Sequence, residues 1–317
     1  MIAIPQGDLD LLALGEALID FISVEEADRL LDAHTFRKYM GGSPANIAIN
    51  VARLGGRSAI LAKTGVGAHG QFIRAELERA GVQTGYLVMD PNVHTSIIFV
   101  TRTRGTPDFE PYRNGDYKLS PGDLPEEAIR RARVVHASTW PLSRQPSRSA
   151  VEKAFALAHA EGKILSLDPN YSPAIWPDRE EAVEVLGRLL ACTTITKPSR
   201  DDAVRLFGPG LKPDEYIERF HRLGPPIVVL TMGADGLLLS AEGRLQHIPA
   251  RRVQVVDATG AGDSFWAGFL AAMLDGNPLE RCARFAREVV ACKLAAVGPL
   301  PEGIDRRALY AAADAEE

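Results

Sequence analysis

Cysteine and long apolar runs are both scarce in this sequence of 317 residues. The three cysteines show no CxxC spacing, so they fit a reducing compartment better than a disulfide framework. No apolar run approaches the roughly 20 residues that cross a bilayer. The first residues lack a basic stretch followed by a long apolar run, so we expect no signal peptide. These absences predict a cytoplasmic protein with no membrane partner.

The sequence also lacks an excess of basic residues, and its formal net charge is −5. A negative chain is a poor partner for a nucleic-acid backbone, so we expect no nucleic-acid binding. The chain is 46% hydrophobic and 24% charged, which is ordinary for a globular protein. Its length favours one large domain over residues 1–317 rather than several domains.

Apolar β-branched runs alternate with helical patterns along most of the chain. The predicted strands are residues 9–14, 58–63, 134–137, 164–167, 193–196 and 227–230. The predicted helices are residues 45–54, 71–80, 147–161, 179–190 and 213–223. This alternation predicts an α/β fold, a three-layer α/β/α sandwich around a mostly parallel central sheet. In such a sheet ligands bind beyond the carboxyl ends of the strands, and most of the polar residues between elements follow those ends.

Two segments interrupt the alternation, at about residues 17–39 and 95–113. Each contains a strand pattern, at 20–24 and 96–100, with no helix joining it to the main repeat. We expect a small separate β-sheet that acts as a lid, because closing a lid would exclude water from a reaction. The alternative is an edge hairpin with a structural role only. An exposed lid edge would also allow a homodimer through the lid.

The stretch from residue 253 to 274 carries the strongest chemical signal. It reads as a strand end at 253–256, then a glycine-rich turn, then an apolar helix. Gly260 and Gly262 let the backbone approach a ligand closely, and amides at a helix N-terminus bind anions. Asp263 in this turn could accept a proton from a hydroxyl while the amides hold the phosphoryl group that the hydroxyl attacks. The alternative is a strand-to-helix turn capped by Asp263.

A second glycine-rich turn, at residues 40–46, opens the first long helix. Gly41 and Gly42 would let a ligand hydroxyl reach the backbone, and the side-chain amide of Asn46 can both donate and accept hydrogen bonds with hydroxyl groups. A local cap is the alternative for Asn46. A third turn, Gly65 to Gly70, matches the dinucleotide fingerprint GxGxxG, which taken alone indicates an NAD-dependent enzyme. That function would leave the turn before Asp263 unexplained, so we disfavour it.

The runs GGSPANIAINVARLGG and DATGAGDSFWAGF resemble the two signatures of the ribokinase, or PfkB-type, carbohydrate kinases. They lie about 200 residues apart in the family's order, and the resemblance covers essentially the whole chain. It implies a ribokinase-like fold and an enzyme that transfers the γ-phosphoryl group of ATP to a sugar hydroxyl, usually a terminal CH2OH. A non-catalytic sugar sensor on the same fold is the alternative, and the intact turn at Asp263 argues against it.

The resemblance assigns roles by position. Asp263 matches the catalytic base, and Gly260, Ala261 and Gly262 match its anion hole. The positions that match sugar-binding residues are Asp20, Gly41, Gly42, Asn46, Arg113, Asp168 and Asn170. The positions that match the nucleotide site are Lys197, Ser199, Thr231, Gly233, Gly236 and Gly262.

The resemblance also implies cofactors. Mg²⁺ would arrive with ATP and be held through water near Asp202. Asp257 and Thr259 match residues that hold an activating monovalent cation such as K⁺, with carbonyls near Val297 and Gly298 completing the site.

The identity of the sugar rests on finer similarities. The runs GEALIDF and KPS resemble fructokinases, whereas YRN, LSP and LSRQPSRSAV resemble kinases of 5-dehydro-2-deoxygluconate and 2-keto-3-deoxygluconate. Ser172 stands where the DPNYRP run of fructokinases and keto-acid sugar kinases has an arginine, and the loss of that arginine argues against an acidic sugar. Arg113 could bind a carboxylate, or a hydroxyl and the lid. We expect a neutral keto-hexose such as fructose, with an acidic keto-sugar, ribose or a nucleoside as alternatives.

Overall fold

The computed structural model describes residues 2–103, 108–296 and 300–315, which form two β-sheets and ten α-helices. The strands, numbered in chain order, are β1 (Leu9–Leu14), β2 (Leu18–Glu26), β3 (Phe36–Gly41), β4 (Ser58–Gly65), β5 (Leu87–Asp90), β6 (Ile97–Arg102), β7 (Phe109–Tyr112), β8 (Ala132–Ser138), β9 (Ile164–Asp168), β10 (Ile195–Thr196), β11 (Ile227–Thr231), β12 (Leu237–Ala241) and β13 (Arg244–Ile248). The helices are α1 (Ser43–Arg53), α2 (Ala68–Arg79), α3 (Glu126–Arg131), α4 (Ser147–Ala160), α5 (Arg179–Leu190), α6 (Arg200–Phe207), α7 (Pro213–Arg222), α8 (Ala261–Leu274), α9 (Leu279–Leu294) and α10 (Arg306–Asp314).

The large sheet has the strand order β13-β12-β11-β10-β9-β8-β1-β4-β5 among the described residues. Its strands pair in parallel from β5 through β11, and β12 and β13 add an antiparallel edge. One core packs on α1, α2, α8, α9 and α10, and the other packs on α3 to α7. Because helices cover both faces, β1, β4 and β9 are almost continuously buried, as their apolar sequences require. The predicted three-layer α/β/α fold is confirmed.

The small sheet has the order β3-β2-β6-β7 and comes from the two segments that interrupt the alternation. Strand β2 follows β1 after three residues, and β3 leads directly into α1, so the small sheet begins at the carboxyl edge of the large one. Aromatic rings pack on one of its faces, with Phe99 stacked 5.2 Å from Phe21 and edge-on to Phe36 at 5.0 Å. The predicted smaller sheet is confirmed, and dimerisation through it stays a prediction.

One predicted element is wrong. Residues 253–256 form no strand, and Val255 and Val256 are 56% and 57% exposed. Their β-branched side chains favour extended backbone, but none of the strands in the described part of the chain pairs with them to supply a ladder. The strand predicted at 193–196 is present only as the two residues of β10.

Two glycines of the GxGxxG turn serve close packing, Gly70 of α2 against the end of β4 and Gly65 against the loop after β5. A methyl group at Gly70 would lie 1.8 Å from the carbonyl oxygen of Gly65, and one at Gly65 would lie 2.5 Å from that of Val93. The backbones therefore need both glycines to approach this closely. Among the described residues, none of the helices is long and apolar enough to span a membrane.

Candidate active site

Asp263 lies in the first turn of α8, where it faces the first turn of α1. The Ser43 hydroxyl donates a hydrogen bond to Oδ1 of Asp263 at 2.7 Å, and the Asn46 side-chain amide donates to Oδ2 at 2.9 Å. Burial raises the pKa of Asp263, and these two hydrogen bonds and the charge of Lys197 oppose the rise. A carboxylate with a raised pKa is a stronger base than an ordinary aspartate, so this group is suited to accept a proton.

The turn before Asp263 leaves space beside the start of α8. Gly260 has a left-handed backbone with φ of 73°, and a methyl group there would meet no atom within 4 Å. The Ala261 amide donates to the carbonyl of Ala258. The amides of Gly262 and Asp263 follow in the first helical turn, where a helix supplies no internal acceptor. These donors and the positive end of α8 form a cradle for an anion.

A buried ion pair borders this cradle. Lys197 Nζ lies 2.8 Å from Oδ2 of Asp168, and both residues are at most 4% exposed. A methyl group at Gly262 would lie 3.4 Å from the same Nζ, so the ammonium adjoins the start of α8. Burial raises the pKa of Asp168 to about 7; Lys197 opposes this rise, and Asp202 and Asp263 add to it. Within the described chain, Oδ1 of Asp168 has no hydrogen-bond partner, which leaves an acceptor for a ligand.

Asp20 lies on β2 opposite Tyr39 of β3, next to the base of the small sheet. Burial raises its pKa to about 7, with a further contribution from the charge of Asp263. A methyl group at Gly41 would lie 2.2 Å from Oδ2 of Asp20, so Gly41 makes room for this carboxylate. At Gly42, where φ is 102°, a methyl group would lie 2.4 Å from the carbonyl oxygen of Glu16. Asp263 thus lies near both residues: its charge acts on Asp20, and its carboxylate accepts the Asn46 amide.

Three polar residues of the site were missed as candidates at the sequence level. Glu16 is 1% exposed and accepts hydrogen bonds from the Ser43 amide at 3.0 Å and from the Ser138 hydroxyl at 3.3 Å. Burial raises its pKa to about 8, and the charges of Asp116 and Asp263 add to the rise. Ser43 therefore links Glu16 to Asp263 through its amide and its hydroxyl. The available signal was their position, since Glu16 follows β1 by two residues and Ser138 ends β8, both at the carboxyl edge of the parallel sheet.

Arg113 is not an open binding group in this structure. Its side chain is 4% exposed and pairs with Asp116 at 2.6 Å. The remaining guanidinium nitrogens donate to the hydroxyl of Ser143 at 2.9 Å and the carbonyl of Trp140 at 3.3 Å. The guanidinium therefore supports the loop after the small sheet, and the structure does not favour its predicted contact with substrate. Asn170 is exposed after β9 with φ of 35°.

Ser199 and Asp202 form a capping box at the start of α6. The Ser199 amide and hydroxyl donate to Oδ2 of Asp202 at 2.9 and 2.6 Å, and the Tyr171 amide donates to Oδ1 at 2.9 Å. Both carboxylate oxygens are thus already occupied by protein donors. The described residues contain no group of three His, Cys, Asp or Glu side chains placed to hold a metal ion. Direct coordination by the protein is not favoured, and Mg²⁺ would reach this site on nucleotide phosphates.

The turn after β11 lies beside this capping box. The Thr231 amide donates to the carbonyl of Pro198 at 3.0 Å. Gly233 and Gly236 have φ of 59° and 83°, and a methyl group at Gly236 would lie 2.2 Å from the carbonyl of Ile248. Space is open at Gly233, where a methyl group would meet nothing within 4 Å.

The predicted monovalent-cation position is occupied by a side chain. Lys293 Nζ donates to the Asp257 carbonyl at 3.0 Å and lies 3.2 Å from Oδ2 of the same residue. Thr259 contributes its amide to Oδ1 of Asp257 at 2.9 Å. The predicted carbonyls near Val297 and Gly298 lie outside the described residues. Because an ammonium group already contacts the Asp257 oxygens, the residues present do not fit K⁺ at this point.

Comparison with known proteins shows the family of the chain. Residues 8–302 match the model of the pfkB family carbohydrate kinases. An ATP-dependent 6-phosphofructokinase of Thermoanaerobacterium thermosaccharolyticum is 36% identical over 291 residues, covering 92% of this chain and 89% of that protein. The structure of a Halothermothrix orenii fructokinase superimposes with a TM-score of 0.79 and 34% identity, covering 91% of this chain and 99% of that one. An uncharacterised sugar kinase from Pyrococcus horikoshii in complex with ATP gives 0.82 and 30%, covering 92% and 94%.

A mostly parallel α/β sandwich with a carboxylate beside helix N-terminal amides is suited to phosphoryl transfer, and the relatives make this chain an ATP-dependent kinase. Within that class, the chain belongs to the pfkB family of carbohydrate kinases.

Proposed function

We propose that this protein transfers the γ-phosphoryl group of ATP to a hydroxyl group of a neutral keto-hexose, with fructose as the expected substrate. The observation that carries the proposal is the position of Asp263. Its carboxylate lies between the hydroxyl-reading groups of α1 and β2 and the amide cradle of α8. Kinase activity requires an acceptor hydroxyl, its base and the transferred group to meet at one point.

Different residues orient the sugar, accept the proton and stabilise the transferred group. Asp20 and Asn46 would orient the sugar so that one hydroxyl faces Asp263. The hydroxyl oxygen forms a bond to the γ-phosphorus as its proton passes to the Asp263 carboxylate, and the bond from that phosphorus to the bridging oxygen breaks to release ADP. The amides of Gly262 and Asp263 stabilise charge on the transferred group. Lys197 adds a fixed positive charge beside the same cradle.

Mg²⁺ would neutralise charge on the ATP phosphates. The chain contributes few groups to it, because both oxygens of Asp202 accept backbone amides. Asp168 retains one unpaired buried oxygen in the described structure, which can accept a hydrogen bond from the sugar or from water. We propose that Thr231, Gly233 and Gly236 border the nucleotide. The small sheet would act as a lid that excludes water as a competing acceptor.

The state of Arg113 favours a neutral sugar over an acidic one. A carboxylate on the substrate needs an available cation, but the Arg113 guanidinium is buried and bonded to Asp116, Ser143 and Trp140. Leaving these groups unpaired would cost more than a surface contact returns. Ser172 supplies no positive charge where the DPNYRP run of fructokinases and keto-acid sugar kinases has an arginine.

A phosphorylated keto-hexose is the second candidate, because the relative from Thermoanaerobacterium thermosaccharolyticum is named an ATP-dependent 6-phosphofructokinase. Arg37 gives this candidate a structural basis. It pairs with Ile22 of β2, two positions beyond Asp20, so it lies on the Asp20 face of the small sheet. Arg37 is exposed. A guanidinium on this face could bind a phosphate at the far end of the sugar.

A substrate panel decides between these candidates. ADP release would be followed with fructose, fructose 6-phosphate, 2-keto-3-deoxygluconate, 5-dehydro-2-deoxygluconate, ribose and adenosine. We expect the highest kcat/KM for fructose. An Arg37→Ala variant should leave kcat/KM for fructose within about twofold of the wild type. If Arg37 binds the phosphate of fructose 6-phosphate, the same variant should lower kcat/KM for that substrate by tenfold or more, about 1.4 kcal/mol. A tenfold preference for an acidic sugar or a nucleoside would refute the proposed substrate class.

A further inference from the structure

Lys293 is a buried lysine in the last turn of α9, and its ammonium group is saturated by oxygen acceptors. The residue is 1% exposed. Nζ contacts the Asp257 carbonyl at 3.0 Å, Oδ2 of Asp257 at 3.2 Å and the Ala296 carbonyl at 3.3 Å. An ammonium group has three donors, and three acceptors among the described residues contact this one. Two of these acceptors are main-chain carbonyls, so the arrangement resembles the coordination of a bound cation rather than a surface ion pair.

The loop that Lys293 anchors leads into the cradle. Asp257 precedes Gly260 by three residues, and its Oδ1 accepts the Thr259 amide at 2.9 Å. The Val256 amide donates to the Leu294 carbonyl at 2.8 Å, which attaches the same loop to the end of α9. The positive charge also lies near the C-terminus of α9, where the helix dipole favours a cation.

We propose that Lys293 is a built-in monovalent cation. Its ammonium group takes the place of a K⁺ ion against the Asp257 oxygens, fixes the turn that presents the amides of α8, and makes the enzyme independent of K⁺. Lys293 is therefore a positioning residue that acts through the 257–260 turn. The effect on catalysis rests on the kinase function proposed above, whereas the effect on ion binding and stability does not.

A purely structural ion pair makes a different prediction. If Lys293 only stabilised the fold, shortening it would lower stability and activity equally in every salt. If it substitutes for a cation, its removal leaves a negatively charged, carbonyl-lined space that an ion of similar size and charge can fill. Two variants separate these cases. Lys293→Ala opens the space, and Lys293→Met removes the charge but keeps the space filled with an unbranched apolar side chain.

The test compares KCl, NH₄Cl and choline chloride at equal ionic strength, with melting temperature and rate of ADP release as readouts. The wild-type protein should show the same melting temperature in all three salts and rates within about twofold. Lys293→Ala in choline should lose about ten- to a hundredfold in kcat, as expected for a displaced positioning group. KCl or NH₄Cl should raise the kcat of Lys293→Ala several-fold above its value in choline and raise its melting temperature by about 2–4 °C. Lys293→Met should respond to none of the salts.

Lys163→Ala serves as the matched control, because Lys163 also donates to two main-chain carbonyls, those of Gln6 and Arg130, at the amino end of β9. It should show no response to K⁺. The proposal is overturned if K⁺ raises the melting temperature or rate of the wild-type protein. It is also overturned if Lys293→Ala responds to K⁺ no more than Lys293→Met does. The melting temperatures are measured without substrate, so they test the cation proposal even if the proposed kinase function is wrong.

Discussion

Replacing Glu16 by glutamine should make the protein more stable, and the gain should grow with pH. Glu16 is 1% exposed at the end of β1, and burial raises its pKa from 4.5 to about 8. Because a tenfold change in a protonation equilibrium is worth about 1.4 kcal/mol, ionising this carboxyl in the folded state costs up to about 5 kcal/mol. That is a large fraction of the stability of a typical domain, which is about 5–15 kcal/mol.

The sign follows from proton binding. Below pH 4.5 the carboxyl carries a proton in both the folded and the unfolded chain, so its contribution to stability is fully present. Between pH 4.5 and about 8 the folded chain keeps a proton that the unfolded chain has released. The free energy of unfolding therefore falls by up to about 1.4 kcal/mol per pH unit across this window through Glu16 alone. Glutamine does not titrate and can still accept from the Ser43 amide, so Glu16→Gln should not show this loss.

Urea denaturation of the wild type and Glu16→Gln at several pH values between 5 and 9 measures the difference directly. Asp20 and Asp168 also have raised pKa values, but they are common to both proteins and cancel in the comparison. The exposed Glu161, changed to glutamine, controls for the loss of one negative charge. A difference between Glu16→Gln and the wild type that stays constant from pH 5 to pH 9 would refute the reasoning.

Three further outcomes are expected. Lys197→Met should lower kcat by at least about a hundredfold in an ADP-release assay, because it removes a charge beside the cradle and leaves buried Asp168 unpaired; a loss below threefold would contradict that role. Gly70→Ala should lower the melting temperature by several degrees, since its methyl group would lie 1.8 Å from the Gly65 carbonyl; unchanged melting would show that α2 adjusts freely. His136 should contribute a loss of stability as pH falls from 6.5 toward 3, opposite in sign to the buried carboxyls, because burial lowers its pKa to about 3; in urea titrations the stability of His136→Gln relative to the wild type should therefore rise as pH falls, and a difference that stays constant with pH would contradict this contribution.

The fold could be predicted from local patterns because runs and periodic repeats of apolar residues indicate which strands and helix faces are buried. Strands β1, β4 and β9 are apolar runs buried on both faces, and the glycine turn before Asp263 begins a helix as expected. The exposed valines at 255 and 256 show the limit of that reasoning. Their β-branched side chains indicate a strand, but a strand needs a partner, and the sheets formed by residues 2–103, 108–296 and 300–315 provide none there.

The site could be predicted only where one segment carried the chemistry. Asp263 and Gly41 lie in compact motifs whose composition suggests their roles. Glu16 and Lys293 gave weaker signals, because what distinguishes each is its burial beside groups far away in the chain. Lys293 lies in an amphipathic helix where a lysine usually faces solvent, and among the described residues its contacts with Asp257 and Ala296 accompany its burial. Arg113 is the opposite case. Its sequence context predicted a contact with substrate, but its guanidinium bonds to Ser143 and Trp140, which are distant in the chain.

The most direct test of the account is the turnover of Asp263→Asn with ATP and the best sugar of the panel. Asparagine keeps the size of the side chain and one acceptor for Ser43 or Asn46, but it cannot take a proton from the hydroxyl. Asp214→Asn is the matched control, an exposed aspartate in the first turn of α7. We expect Asp263→Asn to lower kcat by about 10²–10⁴-fold with the melting temperature preserved, and Asp214→Asn to keep full activity. A folded Asp263→Asn protein that retains more than about a tenth of the wild-type kcat would contradict the assignment of Asp263 as the base.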